Sequence, residues 1–471
     1  MIHDRLNNLP EYDDQINQLW DETYKTFTHK IIVLDDDPTG VQTVHGVPVY
    51  TEWSQDTIEA IFQDSHQMVF ILTNSRSFTK EKTEQEHRKI AERIGNVSDE
   101  NGQPYLLISR GDSTLRGHYP LETAVLKNGL EDHSTIKIDG EIISPFFQEG
   151  GRITINDKHY LTENNSYIPV GKTEFAEDRI FSFENSNLKN WIEEKTKGEF
   201  KADSVTSISI EELRKLDITK MMNKLEALNY FNKLIVNAVT EEDIKAFCIA
   251  LLKVINKNNK HFLFRTAASF TKVIGNISNK PYLTKKELLK ETNSHGGLII
   301  VGSHVQKTSE QLNKLKELNN IHFFEFNCEV AHDSQLLQQE KETIQSQAND
   351  LILNGHTVCI YTSRKKINFE HNQKDKEIQF SLKISQALTS FVSNCKYKPN
   401  YVVAKGGITS SDVGTIGLAV KRAEVMGQII PGVPVWKTGN DSRFPNIPYI
   451  IFPGNVGSDE ALKQVIQLLE S

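Results

Sequence analysis

The sequence predicts an α/β protein of two domains, each a mainly parallel sheet flanked by helices. Three observations carry that expectation. Short runs rich in Val, Ile, Leu and Phe recur along the chain, as the buried strands of parallel sheets do. Most of these runs stop at a polar turn and give way to a longer, charged, helix-like stretch. The chain also has 471 residues, more than one ordinary core holds, and the polar segment Asn279 to His295 shows no strand pattern. The boundary therefore falls there, between an amino-terminal domain over 1–285 and a carboxy-terminal domain over 296–471.

In chain order, Ile16, Leu19, Trp20, Tyr24 and Phe27 recur at helical spacing and predict an amphipathic helix within residues 11–29. Ile31-Ile32-Val33-Leu34 is a doubly buried strand ending in Asp35-Asp36-Asp37, then Pro38 and Gly40, which favour a tight turn. Alternation along an extended chain sends Asp35 and Asp37 to one side and Asp36 to the other. Strands follow at Val47–Tyr50, at Met68–Leu72, which runs into Asn74-Ser75-Arg76, and at Tyr105–Ile108, which runs into Arg110-Gly111-Asp112. Residues 145–205 are irregular and read as hairpins, loops and insertion. Ser209-Ile210-Glu211-Glu212 reads as a capping box. Strands resume at Leu234–Val236 and His261–Phe264, the latter running into Arg265. In the second half they lie at Leu298–Val301, His322–Phe326, Val358–Tyr361, Tyr401–Ala404 and Tyr449–Phe452.

Composition narrows the class. With 38% hydrophobic and 25% charged residues and a formal net charge of −8, the chain reads as a globular protein without the concentrated basic surface that nucleic acid or an anionic membrane favours. Cys248, Cys328, Cys359 and Cys395 are far apart and form no CxxC pair, so no disulfide framework or zinc knuckle is signalled. The first residues lack a secretory pattern, no apolar run approaches membrane-spanning length, and a cytoplasmic location is expected. A homodimer is left open.

In open parallel sheets, ligands bind at the carboxyl ends of strands, where the unusual motifs of this chain lie. In the second half Gly302-Ser303, Gly406 to Ser411 and Gly454 to Ser458 combine Gly with Ser, Thr or Asn before a helix. Glycine lets a phosphate approach the backbone, and the free N–H groups of a first helical turn favour anions, so three such turns point to a polyphosphate. Gly297 to Gly302 has Walker spacing but lies across the strand and is followed by Ser303-His304, and Gly171-Lys172-Thr173 lacks the upstream glycine. No GxGxxG follows a strand, and His332-Asp333 stands alone as a metal candidate, so no metal ligands are assigned. In the first half, the Asp35 cluster, Asn74 to Arg76 and Arg110 to Arg116 supply hydroxyl acceptors and guanidinium forks. Arg grips a carboxylate or phosphate bidentately and paired aspartates accept protons from vicinal hydroxyls or bind a metal, a combination that suits a small polyhydroxy acid.

These motifs resemble the four-carbon acid sugar kinase family. Asp35 to Gly40 is similar to its DDxTG signature, Asp112 to Gly117 matches DSTLRG, and Gly406 to Ser410 is similar to GGxTS. Pro431 to Pro434 and Gly454 to Gly457 fit PGVP and GNxG. The resemblance implies a sugar-acid-binding amino-terminal domain, an ATP-binding carboxy-terminal domain, a ligand cleft between them, and phosphorylation of the terminal hydroxyl of a threonate, erythronate or 3-oxo-tetronate type acid or a related branched one. Together with the residue chemistry of the first half, the acid is expected at Asp35, Thr39, Asn74, Arg76, Arg110, Asp112, Ser113 and Arg116. The resemblance itself bears on the nucleotide. It places ATP at Ser303, at Gly406, Gly407, Ile408 and Thr409, and at Gly454, Asn455 and Gly457. Three departures stand out: Ile408 where an acid is usual, Ser109-Arg110-Gly111 where a lysine is common before DSTLRG, and Asn237 where an aspartate often ends the strand.

The expected chemistry is in-line transfer of the γ-phosphoryl group of ATP, with Mg2+ on the phosphates, Arg110 or Arg116 on the substrate carboxylate, and Asp36 or Asp37 accepting the proton. A haloacid-dehalogenase-type phosphatase is the rival, since Asp35-x-Asp37-x-Thr39 after an apolar strand fits that nucleophile motif. It leaves DSTLRG and the second domain unexplained. A non-catalytic sugar-acid sensor is the third reading, prompted by Ile408.

Overall fold

A computed structural model describes residues 6–163, 166–258, 260–290, 293–364 and 374–471 of the chain. The absence of a secretory pattern was read partly on residues 1–5, which lie outside that set. By its internal contacts the chain divides into two units: Met1–Asp36 with Glu52–Ser278, and Asp37–Thr51 with Asn279–Ser471.

The strands are, in chain order, β1 (Lys30–Asp35), β2 (Val47–Tyr50), β3 (Met68–Leu72), β4 (Tyr105–Arg110), β5 (Gly140–Ser144), β6 (Arg152–Ile155), β7 (Lys158–Glu163), β8 (Ser166–Pro169), β9 (Thr206–Ile208), β10 (Asn232–Val236), β11 (Phe262–Thr266), β12 (Leu298–Val301), β13 (Ile321–Phe326), β14 (Thr357–Thr362), β15 (Val402–Lys405), β16 (Arg422–Ile430), β17 (Val433–Thr438) and β18 (Pro448–Phe452).

In the first unit, β3-β1-β4-β11-β5-β10-β9 form a parallel sheet. Ile31, Ile32 and Val33 in its middle are fully buried. Each such side chain contributes roughly 1.5–3 kcal/mol on leaving water, which is why the run is apolar on both faces. The flanking helices are bounded by local chemistry. The helix Lys80–Asn101 begins where the Thr79 hydroxyl accepts from the Lys82 N–H and ends at Gly102 in the left-handed region. Ser209 and Glu212 form the capping box that the sequence indicates. Residues 145–205 are more ordered than the sequence implies, for β6-β7-β8 make an antiparallel sheet and Leu188–Lys195 a helix. Trp191, Ile192 and Val170 from this region pack with Leu115 and Tyr119. That long-range packing has no periodic signature.

In the second unit, β13-β14-β12-β15-β18 run parallel, and β17, β16 and β2 continue the sheet antiparallel. The pair β16 and β17 was not indicated by the sequence, and its turn is the Pro431-Gly432 step of the PGVP motif. The helices Gln306–Leu315 and Ala461–Glu470 bury Leu312, Leu462, Val465 and Ile466 against Ile299, Val403 and Ile450. All four cysteines are free and buried. Among the described residues, no helix is long and apolar enough to cross a membrane.

Candidate functional site

In the first unit, the carboxyl ends of the neighbouring strands β3, β1, β4 and β11 bring the acidic and basic motifs together. Register places Asp35 directly across from Arg110, and Arg110 across from Thr266. The strand stops at Asp35, and the Asp36 N–H donates to the Arg110 carbonyl at 3.3 Å. Alternation therefore ends there, and Arg110 Nη1 lies 3.2 Å from Asp35 Oδ1 and 3.8 Å from Asp36 Oδ1. Arg76 grips Asp36 with Nε and Nη2, at 3.1 and 2.6 Å. Arg116 Nε donates to Asp112 Oδ2 at 2.7 Å, and the Thr114 hydroxyl donates to the same oxygen. Asn74, which starts the turn to Arg76, adopts a left-handed φ of 55°, and Leu115 inside DSTLRG one of 70°. Such backbone is uncommon outside glycine and concentrates where a site over-determines it.

Two residues of this cluster carry no motif. Arg265, inside the apolar strand β11, donates from Nη2 to the Arg116 carbonyl at 2.9 Å. Its guanidinium lies where a Cβ on Gly111 would stand, so any larger residue at 111 would displace it. Glu122 accepts from the Ser75 hydroxyl at 2.7 Å. An arginine in the run His261 to Thr266 was the available signal for Arg265; Glu122, in a helix, offered none. Arg110 Nε and Arg265 Nη1 have no hydrogen-bond partner among the described residues, although both side chains are buried with only 5% exposed. Native proteins seldom leave such donors unmade, and an anionic ligand would satisfy them.

The charges are unequal. Burial pushes the Asp36 carboxyl above the usual aspartate range against the pull of Arg76 and Arg265, with Glu122 adding to the rise. Burial opposes ionisation of Asp112 as well, but Arg76, Arg116 and the Thr114 hydroxyl outweigh it and hold that carboxyl well below the ordinary range. His159, on β7, is fully buried, and its ring nitrogens lie 2.8 Å from the Ser113 carbonyl and 2.8 Å from the Thr154 hydroxyl. Burial pushes it down to about 4.

A test follows from His159. Its folded value lies below the ordinary one near 6.5, so its contribution to stability is complete above about pH 6.5 and is lost as pH falls through about 4. At about pH 5 the loss is roughly 2 kcal/mol. Denaturant unfolding at about pH 7 and pH 5 is expected to show it, and His159→Gln to flatten that pH slope. An equally steep slope in the variant would remove His159 as its cause.

In the second unit, Asp37 Oδ1 accepts from the N–H and the hydroxyl of Thr39, at 2.8 and 2.5 Å, as an Asx-type turn does. The three glycine turns lie at the ends of the adjacent strands β12, β15 and β18. Gly406 has φ 123°, and a Cβ there would come within 3.0 Å of Ser303 Cβ, while one on Gly454 would come within 3.1 Å of Ser303 Oγ. One on Gly302 would collide with the Thr409 hydroxyl. Thr308 Oγ1 lies 3.1 Å from both Ser303 Oγ and the Gly454 carbonyl. Gln311 Nε2 donates to the carbonyls of Val456 and Ser458 at 2.9 and 2.8 Å. Gly407, Asn455 and Gly457 are exposed, and Ile408 is 68% exposed. The turn Gly407–Asp412 is itself helical rather than preceding a helix. Lys405, Thr308 and Gln311 carried no motif; only Lys405, a cation closing an apolar strand, was conspicuous in sequence.

Among the described residues, no group of three His, Cys, Asp or Glu side chains converges as a metal site. The donors at the glycine turns are hydroxyls, amides and cations. They do not fit a magnesium ion held by protein carboxylates, and no step below runs through one.

One unit gathers arginine forks and carboxylates, and the other gathers glycine turns on adjacent strands. Residues 31–274 match the family described as a sugar-binding N-terminal domain, and residues 298–462 match the nucleotide-binding C-terminal domain. The class is thus a two-domain α/β protein with a sugar-binding and a nucleotide-binding part. The chain belongs to the four-carbon acid sugar kinase family. No curated protein matches the sequence. Among solved structures, Haemophilus influenzae protein HI1011 is 17% identical with a TM-score of 0.62, over 93% of this chain and 100% of that one. A Salmonella typhimurium LT2 protein with the provisional name of a tRNA synthase is 14% identical with a TM-score of 0.64, over 92% and 98%. At such identities the likeness is one of fold.

Proposed function

We propose that the chain is an ATP-dependent kinase that phosphorylates the terminal hydroxyl of a four-carbon sugar acid or a related branched one. The observation that carries this reading is the pair of buried, unpartnered guanidinium nitrogens, Arg110 Nε and Arg265 Nη1, beside the carboxylates Asp35 and Asp36 in a sugar-binding domain. Guanidinium groups bind the acid's carboxylate, and the carboxylates accept from its hydroxyls. A sugar hydroxyl can also accept from these nitrogens, but a carboxylate meets a buried guanidinium with a charge-assisted bond, roughly twice as strong as a neutral one.

In this reading Arg110 and Arg116 hold the carboxylate, with Arg265 behind them. Asn74, Arg76, Asp112 and Ser113 surround the hydroxyls, and Asp35 stays ion-paired to Arg110. Asp36 accepts the proton of the attacking hydroxyl. Its carboxyl is already shifted towards proton uptake by burial, as a general base working near neutrality requires. Asp37 is the other candidate, and its Oδ1 is engaged by Thr39. Ser303, the Gly406 to Thr409 turn and the Gly454 to Gly457 turn present N–H groups and hydroxyls to the phosphates. Magnesium enters only as the counter-ion of the nucleotide's phosphates.

Incubation of the full chain with Mg-ATP and a panel of four-carbon and branched sugar acids tests the reading. ADP is expected to appear only when an acid is present. ADP formation indifferent to every acid, or phosphate release from a phosphoester instead, would overturn it.

A further inference from the structure

Lys405 is the last residue of β15, the strand flanked by β12 and β18, so the three glycine turns converge around it. Its side chain is fully buried. Nζ donates to the carbonyls of Pro453 and Gly454, at 2.5 and 3.0 Å, and lies 4.2 Å from the Phe452 ring centroid. Its own carbonyl accepts from the N–H groups of Gly302 and Ser303, at 3.2 and 3.3 Å. One residue therefore fixes two turns, by its backbone on one side and its ammonium on the other.

The charge that acts on it is another cation. Lys307, on the helix Gln306–Leu315, acts on it and is itself paired with Asp459 at 3.0 Å. Arg364, just beyond β14, donates from Nη1 to the Ser303 carbonyl at 2.6 Å. Burial and Arg364 together lower His304. Among the described residues, no carboxylate lies within ion-pair distance of Lys405. An ammonium buried without a counter-ion is costly to keep charged until an anion arrives.

We infer that Lys405 is a positioning residue of the nucleotide site and that binding of a nucleotide's phosphates there draws a proton from solvent onto its amine. The inference rests on the nucleotide-binding part of the proposed function. With the site empty, burial and Lys307 bring Lys405 down to about 7. Phosphates at the neighbouring turns add negative charge and favour the ammonium, which then donates fully to Pro453 and Gly454 and holds that turn in its binding shape. The sign follows: a nucleotide binds best below neutrality, and affinity falls as pH rises above about 7, approaching tenfold per pH unit while one proton is taken up.

Calorimetric titration of the full chain with ADP at about pH 8, in buffers of different ionisation enthalpy, reads the proton directly, because the nucleotide's own phosphates are already ionised there. Uptake close to one proton is expected. Lys405→Arg, which stays charged, and Lys405→Met, which stays neutral, are both expected to lose the uptake and the pH slope whatever affinity they keep. Binding without uptake in the wild-type chain, or the same uptake in either variant, overturns the role of Lys405 and leaves the nucleotide site standing. No binding of ADP or ATP by the wild-type chain overturns the nucleotide reading and this inference with it.

Discussion

Asp36→Asn is expected to lower kcat for acid-dependent ADP formation by roughly 10²–10⁴-fold, the range for removing a positioned general base. The substitution keeps the size of the side chain and leaves one oxygen to accept from Arg76, which now grips both carboxylate oxygens at 3.1 and 2.6 Å. It removes the group whose burial raises its affinity for a proton. Affinity for the acid is expected to change much less than turnover, because Arg110 and Arg265 keep their guanidinium groups. The unfolding midpoint should be measured alongside, since Arg76 and Arg110 lose part of a buried charge partner and the variant carries some loss of stability. Asp37→Asn is the companion: its amide oxygen can still accept from Thr39, and a smaller loss is expected. If Asp36→Asn keeps near-wild-type turnover and Asp37→Asn does not, the base is Asp37. If both keep it, neither carboxylate is the base.

Gly406→Ala is expected to weaken ADP binding by about 10- to 100-fold, following a backbone penalty of roughly 1–3 kcal/mol in a region that only glycine occupies easily. Residue 406 has φ 123° and ψ 146°. The added methyl would also come within 3.0 Å of Ser303 Cβ and 3.2 Å of Ser303 N. The turn would therefore move away from Ser303, spoiling the arrangement of N–H groups that phosphates need. Binding of the sugar acid, which this reading places in the other unit, is expected to stay within a few-fold. Gly407→Ala is the control: a Cβ there meets nothing within 4 Å, and its φ is not in the left-handed region. Equal loss in the two variants would mean that bulk at the turn, rather than the conformation of Gly406, decides binding.

Much of the fold was legible because parallel strands buried on both faces must be apolar along their whole length. Ile31 to Leu34, Met68 to Leu72 and Leu298 to Val301 announce themselves for that reason. The antiparallel β16 was less visible, since its residues alternate between buried and half-buried or exposed, and Gly427 and Pro431 interrupt the reading. The sheet β6-β7-β8 was hidden because its order comes from packing with residues far along the chain, such as the Thr154 N–H on the Ala238 carbonyl at 2.9 Å. The glycine turns and the DSTLRG segment were readable because each is a few residue types at fixed local spacing, the pattern that recognition of phosphate or carboxylate would need.

The sequence by itself determined the α/β class, the two-part organisation and the motifs at the strand ends, because each depends on residues near one another in the chain. Only the tertiary structure decided that Asp37–Thr51 belongs with the second unit, that Arg110 touches both Asp35 and Asp36, that Arg265 stands behind Gly111, and that Lys405 lies buried between glycine turns. Those facts follow from strand order, register and burial. They join residues as far as 372 positions apart, as Tyr50 and Arg422 are, and set their charges, and no local pattern encodes either.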